Sequence, residues 1–577
     1  MSGGRLPPPR ADRSPQVDPP ARHAPRVLRA AALVSAMTGI SRVAGLLREQ
    51  LMAVAFGTGV VKSAFVIAFQ IPNLFRRLFG EGALSAAFIP VYIETRNRDG
   101  EEAANRLVGR VAGLLVAVLG LVTAFGILVA LALQAWWFSP ESRWAEILPL
   151  LRIMLPYAPL ICLAALAMGV LNALRNFAVS ALAPVFLNLI WIFTLLVLCP
   201  LLPDDPRLRI RVVSWAVVVA GGVQVAVQMP ALRRRGVRLS FRFDWRGDAR
   251  IRRVLALLAP MMLGVGVFQI NVVVDGLLAM WAAPWAPAAI QYADLIVYLP
   301  LGLIGNAFGT VLLPTFAHQA ESNDQDAMRV TLEGSLRHVL LIAVPAAVGL
   351  TVLAGPVVNL LYVWPKGEFQ AQDAVWTARA LAVFAPGLIF FSIQKALTPA
   401  FYALQDTRTP LRIGLWSVGL NFVLNVVCVL TWPQGWKHAG LLLSTVITSA
   451  VTGVLLGRRL HRRIGAPCGI GLAPVAGGVI VAAGLMGGAA WWVQAHALSL
   501  LGEWTLPVKL AQALAMLAAV MDVTADALLH KLAQALAMLS AVAVGAAVYA
   551  VGAWALCRPV VREVIRELRL KKGHREQ

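Results

Sequence analysis

Apolar residues in this chain come in runs of roughly twenty, long enough for a helix to cross a bilayer. About fourteen such runs can be counted, centred near residues 40, 73, 120, 160, 190, 220, 266, 302, 343, 388, 420, 447, 482 and 545. The pattern predicts an all-α polytopic membrane protein with about 14 transmembrane helices. Between the runs, basic residues alternate in density. Clusters at 96–110, 233–253, 329–337, 408–412, 458–463 and 558–575, with Arg175, fall on one side; Lys62, Arg143, the acid-diluted stretch 203–209, Lys366 and Lys437 fall on the other. Because basic loops stay in the cytoplasm, both termini are expected there. Residues 1–26, rich in Pro and Arg and nearly devoid of apolar side chains, are expected to be a disordered cytoplasmic tail. The apolar run after them is long and carries Arg42 where a cleavage site would need small residues, so a cleaved signal peptide is not expected.

The pattern also repeats. Pro156, Ala173, Leu174 and Asn176 match Pro386, Ala403, Leu404 and Asp406 at an offset of 230. Residues 85–90 match 309–314 at 224, and Val27-Leu28 match Val254-Leu255 at 227, which sets Arg48 opposite Asp275. These matches suggest two pseudo-symmetric six-helix lobes, 27–235 and 250–463, then a final helix pair over 468–557 and a basic cytoplasmic tail over 558–577. Paired lobes about a midplane site are the usual build of an alternating-access transporter. A second repeat differs in kind. KLAQALAML occurs at 509–517 and again at 531–539, 22 residues apart, and reads as a recent tandem duplication that inserts an amphipathic helix over 509–531.

Composition agrees. Of 577 residues, 59% are hydrophobic and 14% charged, against about a quarter charged in soluble domains. The net charge of +22 sits in the short loops between spans, where the orientation rule already accounts for it, so no nucleic acid partner is implied. Cys162, Cys199, Cys428, Cys468 and Cys557 show no metal-ligand spacing and no paired framework.

Charges inside the spans are the informative departures. The first apolar run contains Arg42, Arg48 and Glu49; the second contains Asn73, Arg76, Arg77 and Glu81. A charge at the bilayer centre costs from about 2.5 to well over 10 kcal/mol, so such residues face a polar cavity or a partner, or snorkel from helix ends. At about 100° per residue, Ser41 and Arg48 share one face and Arg42 and Glu49 another, while Gln70, Asn73 and Arg77 form a polar stripe. Guanidinium forks suit phosphate oxygens, so these residues make a candidate site for a pyrophosphate-bearing ligand. In the second half, Asp275, the i, i+4 pair Asn421 and Asn425, and Thr445 among Ser444 and Thr448 offer oxygen ligands for a hard monovalent cation, or ordinary interhelical hydrogen bonds. Asp294 and Lys395 are further intramembrane candidates. No nucleophile elbow, P-loop, zinc spacing or paired acidic motif marks an enzyme.

At these residues the chain resembles the lipid II flippases, the MurJ/MviN family of the multidrug, oligosaccharidyl-lipid and polysaccharide exporter superfamily. The resemblance rests on SRVAGLLRE (41–49), PNLFRRLFGEGALSAAFIP (72–90), QYAD (291–294), ALQDTRTP (403–410) and KHAGLLLS (437–444). It implies two six-helix lobes around a cationic cavity, a groove for a polyprenyl tail beside the last two spans, and transfer of the undecaprenyl-pyrophosphate-linked peptidoglycan precursor from the inner to the outer leaflet of the cell inner membrane. By motif, Ser41, Arg42, Arg48, Asn73, Arg76 and Glu81 match positions tied to cavity function. Asp275, Asn421, Asn425 and Thr445 match a sodium site. Implied partners are lipid II, membrane lipids and cell-wall synthesis proteins. This chain departs from the family at Leu295, where an arginine is common, at Tyr298 and Ser63, where acids are, and at Gln70, where a lysine is. Paired loss of opposite charges suggests that ion pairs disappeared as units, leaving the clamp to the first lobe. The alternatives are an exporter of another polyprenyl-linked glycan, a multidrug exporter and a membrane transferase acting on the same carrier.

Overall fold

The computed structural model describes residues 24–80, 83–139, 142–465, 473–501, 525–558 and 560–562. Glu81 therefore lies outside the described residues, as do most of both expected tails and residues 502–524 of the duplicated region.

All regular secondary structure among the described residues is helical. The first half contains α1 (Ala24–Phe56), α2 (Val60–Phe75), α3 (Ala83–Trp136, two helical stretches kinked at Gly100, φ 84°), α4 (Ile147–Met154), α5 (Tyr157–Ala173), α6 (Phe177–Phe193) and α7 (Pro206–Arg234). The second contains α8 (Ala249–Ala282), α9 (Ala286–Glu321), α10 (Gln325–Val352), α11 (Ala354–Tyr362), α12 (Ala371–Phe384), α13 (Gly387–Ala403), α14 (Arg408–Thr431) and α15 (Lys437–Ile464), followed by α16 (Ala473–Leu501) and α17 (Ala525–Leu556). Eleven helices among the described residues are long and apolar enough to cross a membrane, or twelve if the bent pair α12–α13 counts as one span. The expected count of fourteen is not reached on that measure. The missing spans include α1, interrupted by Arg42, Arg48 and Glu49, and α2, which runs only 16 residues. The polar residues that make the first two segments interesting are also what keeps them from reading as plain spans.

Buried side chains gather in two large clusters. One draws on α1–α8, from Met52 to Met280; the other takes Ala53 and residues of α9–α15, ending at Ile464. Outside them, large apolar side chains such as Leu121, Phe125, Leu303 and Val551 stay exposed, as expected of surfaces that meet lipid tails. α16 and α17 pack on each other and on α10, where the Tyr549 hydroxyl donates to the Leu341 carbonyl (2.6 Å).

The repeat is visible in backbone geometry. α5 and α13 each span 17 residues, each behind a proline, Pro156 and Pro386. Each ends at a non-glycine residue in the left-handed region, Arg175 (φ 58°) and Gln405 (φ 57°), 230 positions apart. The next N–H returns to the helix in both: Asn176 to the Leu171 carbonyl (2.8 Å) and Asp406 to the Phe401 carbonyl (2.9 Å). Such an αL turn satisfies carbonyls that a helix end would otherwise strand.

Two joints tie elements together, the first within the first cluster and the second between the two clusters. The segment between α7 and α8 crosses α3, where the Arg242 N–H donates to the Gly109 carbonyl (3.0 Å) and Arg110 pairs with Asp244 (2.7 Å) and Asp248 (2.6 Å). At the opposite joint, the tight α1–α2 turn meets α9 and α12. The Tyr292 hydroxyl donates to the Gly57 carbonyl (3.1 Å), the Glu368 N–H to the Val54 carbonyl (2.8 Å), and Thr58 Oγ1 to Asp373.

Candidate functional site

A cavity of about 1020 Å³ lies between the two clusters. Its polar walls come mainly from α1, α2 and the π-turn at Arg76–Gly80 on one side and from α8, α9 and α15 on the other. The first wall presents Ser41, Arg48, Glu49, Asn73, Arg76 and Arg77; the second presents Asp275, Asp294 and Thr445. Three arginines and three acids thus line it. The cavity is polarised, guanidiniums opposite aspartates, rather than uniformly cationic.

Each first-wall arginine is held. Arg48 donates from Nε and Nη2 to Glu49 Oε1 (3.1 and 2.7 Å) and from Nη1 to Asn188 Oδ1 (3.0 Å), with its guanidinium 4.4 Å from the centroid of the Trp191 ring. Asn188 donates in turn to the Ser41 carbonyl (3.0 Å). Arg76 Nε donates to Asn73 Oδ1 (2.6 Å), and Arg77 Nη1 to Gln269 Oε1 on α8 (3.0 Å). These contacts fix the forks while keeping them at a water-accessible wall, which is what recognition of a phosphate-like oxyanion needs.

Arg42 stands elsewhere. It is exposed and does not line the cavity; its guanidinium lies against Gly302 of α9, where a Cβ would come within 2.7 Å of Nη1. Glu49, seven residues on, is buried at the cavity wall and is bonded by Arg48 and by Lys62, whose ammonium lies 3.1 Å from Oε2.

Lys62 is the main correction. The pattern of basic residues along the sequence places it between spans; it is instead in the first turn of α2 and 0% exposed. The turn between Phe56 and Val60 is so short that α2 starts against α1, and a lysine thirteen residues after an intramembrane glutamate falls opposite it. That pairing across a Gly-Thr-Gly hairpin was the signal available in the sequence. Asn188 gave no comparable signal, since nothing in a lone asparagine on α6 names its partner.

Of the four positions that depart from the family pattern, Leu295, Tyr298 and Gln70 line the cavity. Ser63 is buried in the joint instead, where its Oγ accepts from the Ala288 N–H (3.4 Å).

The candidate cation ligands do converge. Asn425 Nδ2 donates to Asp275 Oδ1 (2.7 Å) and to Asn421 Oδ1 (3.0 Å), and Asn421 Nδ2 to Thr445 Oγ1 (3.3 Å). Asn271, not anticipated, bridges Asp275 (3.0 Å) and Asn421 (3.2 Å). Asn425 Oδ1 is buried without a hydrogen-bond partner. One carboxylate, neutral carbonyl and hydroxyl oxygens from three helices, and that buried acceptor fit a hard monovalent cation.

The fold and this site define a class: a helical membrane transporter of two packed halves with a polar cavity between them. A solved structure titled "Lipid II flippase MurJ, inward closed conformation" superposes with a TM-score of 0.70 at 20% identity, covering 92% of this chain and 100% of that one. An inward-facing multidrug transporter of the MATE family superposes with a TM-score of 0.62 at 14% identity, covering 74% and 95%; at these identities the likeness concerns the fold. The family model described as "Lipid II flippase MurJ" matches residues 52–512. A probable lipid II flippase MurJ of Vibrio cholerae is 34% identical over 76% of this chain and 83% of its own length, and the lipid II flippase MurJ of Burkholderia cenocepacia is 34% identical over 76% and 84%. The chain belongs to the lipid II flippase MurJ family.

Proposed function

We infer that this protein is a lipid II flippase, a multi-pass inner-membrane transporter that carries the pyrophosphate-linked peptidoglycan precursor to the outer leaflet by alternating access. The observation that carries the site assignment is the row of guanidiniums, Arg48, Arg76 and Arg77, along one wall of the cavity between the lobes. Loop charge orients the molecule with both termini in the cytoplasm, so the joint at the α1–α2 turn closes the outer end and the crossing of residues 235–248 lies on the inner side. Arg42, at the α1–α9 approach, meets the headgroup before it reaches the cavity. The polyprenyl tail stays in lipid along the α16–α17 pair.

The forks donate to the pyrophosphate oxygens, and their Asn73, Asn188 and Gln269 partners keep them oriented. Release requires that the outward state bind the anion less tightly, because a ligand shifts a conformational equilibrium only through differential affinity. An inside-negative potential assists expulsion by about 2.3 kcal/mol per charge per 100 mV. A sodium ion would be held by Asp275, Asn421, Asn425 and Thr445, where it would supply positive charge opposite the arginine wall. The wall-forming residues bind and orient the precursor, and no bond in it is made or broken.

Two measurements test this reading. Arg48→Ala should fail to support growth of a flippase-depleted strain at normal expression; full growth would remove Arg48 from the site. Depletion of the protein should trap lipid II in the inner leaflet. Normal exposure outside would sink the flippase assignment.

A further inference from the structure

Glu49 is 3% exposed and Lys62 0%, and Glu49 is shared. Its Oε1 takes both hydrogen bonds from Arg48, its Oε2 the bond from Lys62. One buried carboxylate therefore serves two cations of different character. Arg48 reaches the cavity; Lys62 is sealed in the joint, with its ammonium 5.1 Å from the centroid of the Tyr292 ring and 5.8 Å from that of Phe65. No other carboxylate among the described residues is within ion-pairing distance of either.

If Arg48 were the only partner of Glu49, the two would form a closed neutral pair, and an anion taking the guanidinium would strand a buried carboxylate, a costly state. With Lys62 present, an anion can take Arg48 while Glu49 stays paired with Lys62. Before binding, the trio carries one net positive charge, which favours an incoming anion.

We propose that Lys62 is the positioning residue that keeps Arg48 releasable to the anionic headgroup, and that its hold on Glu49 is set by closure of the outer joint. The second half of the proposal follows from what covers the ammonium. Tyr292 belongs to the second lobe and is pinned to the α1–α2 turn by its bond to the Gly57 carbonyl, and its own carbonyl accepts from the Tyr362 hydroxyl (3.2 Å). When this joint parts, Tyr292 leaves with the second lobe and water reaches Lys62. A hydrated ammonium attracts Glu49 less than a dry one, so Glu49 returns to Arg48 and displaces the anion. The joint and the clamp are thereby coupled through one carboxylate, which gives the outward state its lower affinity.

This rests on Arg48 as an anion ligand, and the experiment separates the two claims. Lipid II binding is measured at equilibrium on the purified full-length protein and its variants. Lys62→Met should weaken binding about tenfold, the size of effect that a lost 1.4 kcal/mol produces. Glu49→Gln, which removes the competitor, should bind at least as tightly as the unmodified protein. The double variant should return to within about threefold of it, since roughly 0.7 kcal/mol or less separates the two states of charge, and Lys62→Arg should retain most of the affinity. A merely structural role predicts the reverse ordering, with Glu49→Gln the most damaging change because it strands Lys62. Lys62→Met binding unchanged, or a double variant no better than Lys62→Met, overturns the proposal. Should Lys62→Met fail to fold, Glu49→Gln and the neutral double variant still decide. If Arg48→Ala binds normally, it is the clamp assignment that fails.

Discussion

Asn271 organises the polar cluster of the second lobe from a position no motif marked. Its single Nδ2 group donates to both Asp275 and Asn421, joining α8 to α14 beside the cavity. Asn271→Leu leaves the Asp275 carboxylate short of a donor in a half-buried site, and losing a hydrogen bond to a charged group costs about 1.5–3 kcal/mol. The thermal midpoint in detergent should fall accordingly. If sodium occupies this cluster, replacing potassium by sodium should raise the midpoint of the unmodified protein and have little effect on Asn271→Leu. An equal sodium response in both would remove Asn271 from the organisation of any cation site.

Elements impose their own limits where backbones meet. On α3, Gly113 faces the crossing segment so closely that a Cβ would lie 2.1 Å from the Arg242 carbonyl oxygen, whereas a Cβ on Gly120 would meet nothing within 4 Å. Gly113→Ala must displace backbone and should destabilise by about 1–3 kcal/mol. Gly120→Ala should be neutral or stabilising by up to about 1 kcal/mol, because alanine is the better helix former. Comparable melting losses for both would show that the crossing is soft.

The turn after α13 gives a pH test. Asp406 sits outside the membrane, and its carboxyl is held below the usual range first by the Thr409 N–H, with the Thr409 hydroxyl and Arg463 adding to the effect. A carboxylate depressed on folding contributes above its unfolded pKa of about 3.9 and loses that contribution as acid titrates the folded group. Asp406→Asn should therefore narrow the stability gap between neutral pH and about pH 3, as read from melting midpoints. An unchanged gap would mean the turn's hydrogen bonds survive protonation.

The α5 and α13 turns also show why so much was legible. Their prolines, lengths and following polar residues are local facts, so a matching sequence at an offset of 230 was enough to foretell matching geometry. Arg48, Asn73 and Arg76 were legible for a similar reason, each being a polar residue that an apolar helix could not otherwise explain. Lys62 and Arg42 were misplaced because their settings depend on contacts between elements, a hairpin in one case and the α1–α9 interface in the other. Helical phase alone does not contain that information.

At the scale of the whole molecule, the question is which end of the cavity parts. The joint at the α1–α2 turn is built from bonds that cross from α1 and that turn to the second lobe: Thr58 to Asp373, Tyr292 to Gly57, Glu368 to Val54. Gly57 adopts φ +54°, and a Cβ there would lie 2.5 Å from the Glu368 carbonyl oxygen, so the two surfaces meet without slack. Alternating access requires these contacts to break once in each cycle. Because Thr58 and Asp373 already touch through their side chains, cysteines at the two positions, in a background with the natural cysteines replaced, should join under mild oxidation. Asp373 also accepts the Gln370 N–H at the start of α12 (2.9 Å), so the reduced double variant must first be shown to support transport. Oxidation should then arrest lipid II translocation and leave binding from the inner side intact, and reduction should restore the rate. Translocation at the uncrosslinked rate with the bond confirmed closed would mean that the lobes do not separate at this end. The coupling assigned to Lys62 would fall with it, since that ammonium would never meet water.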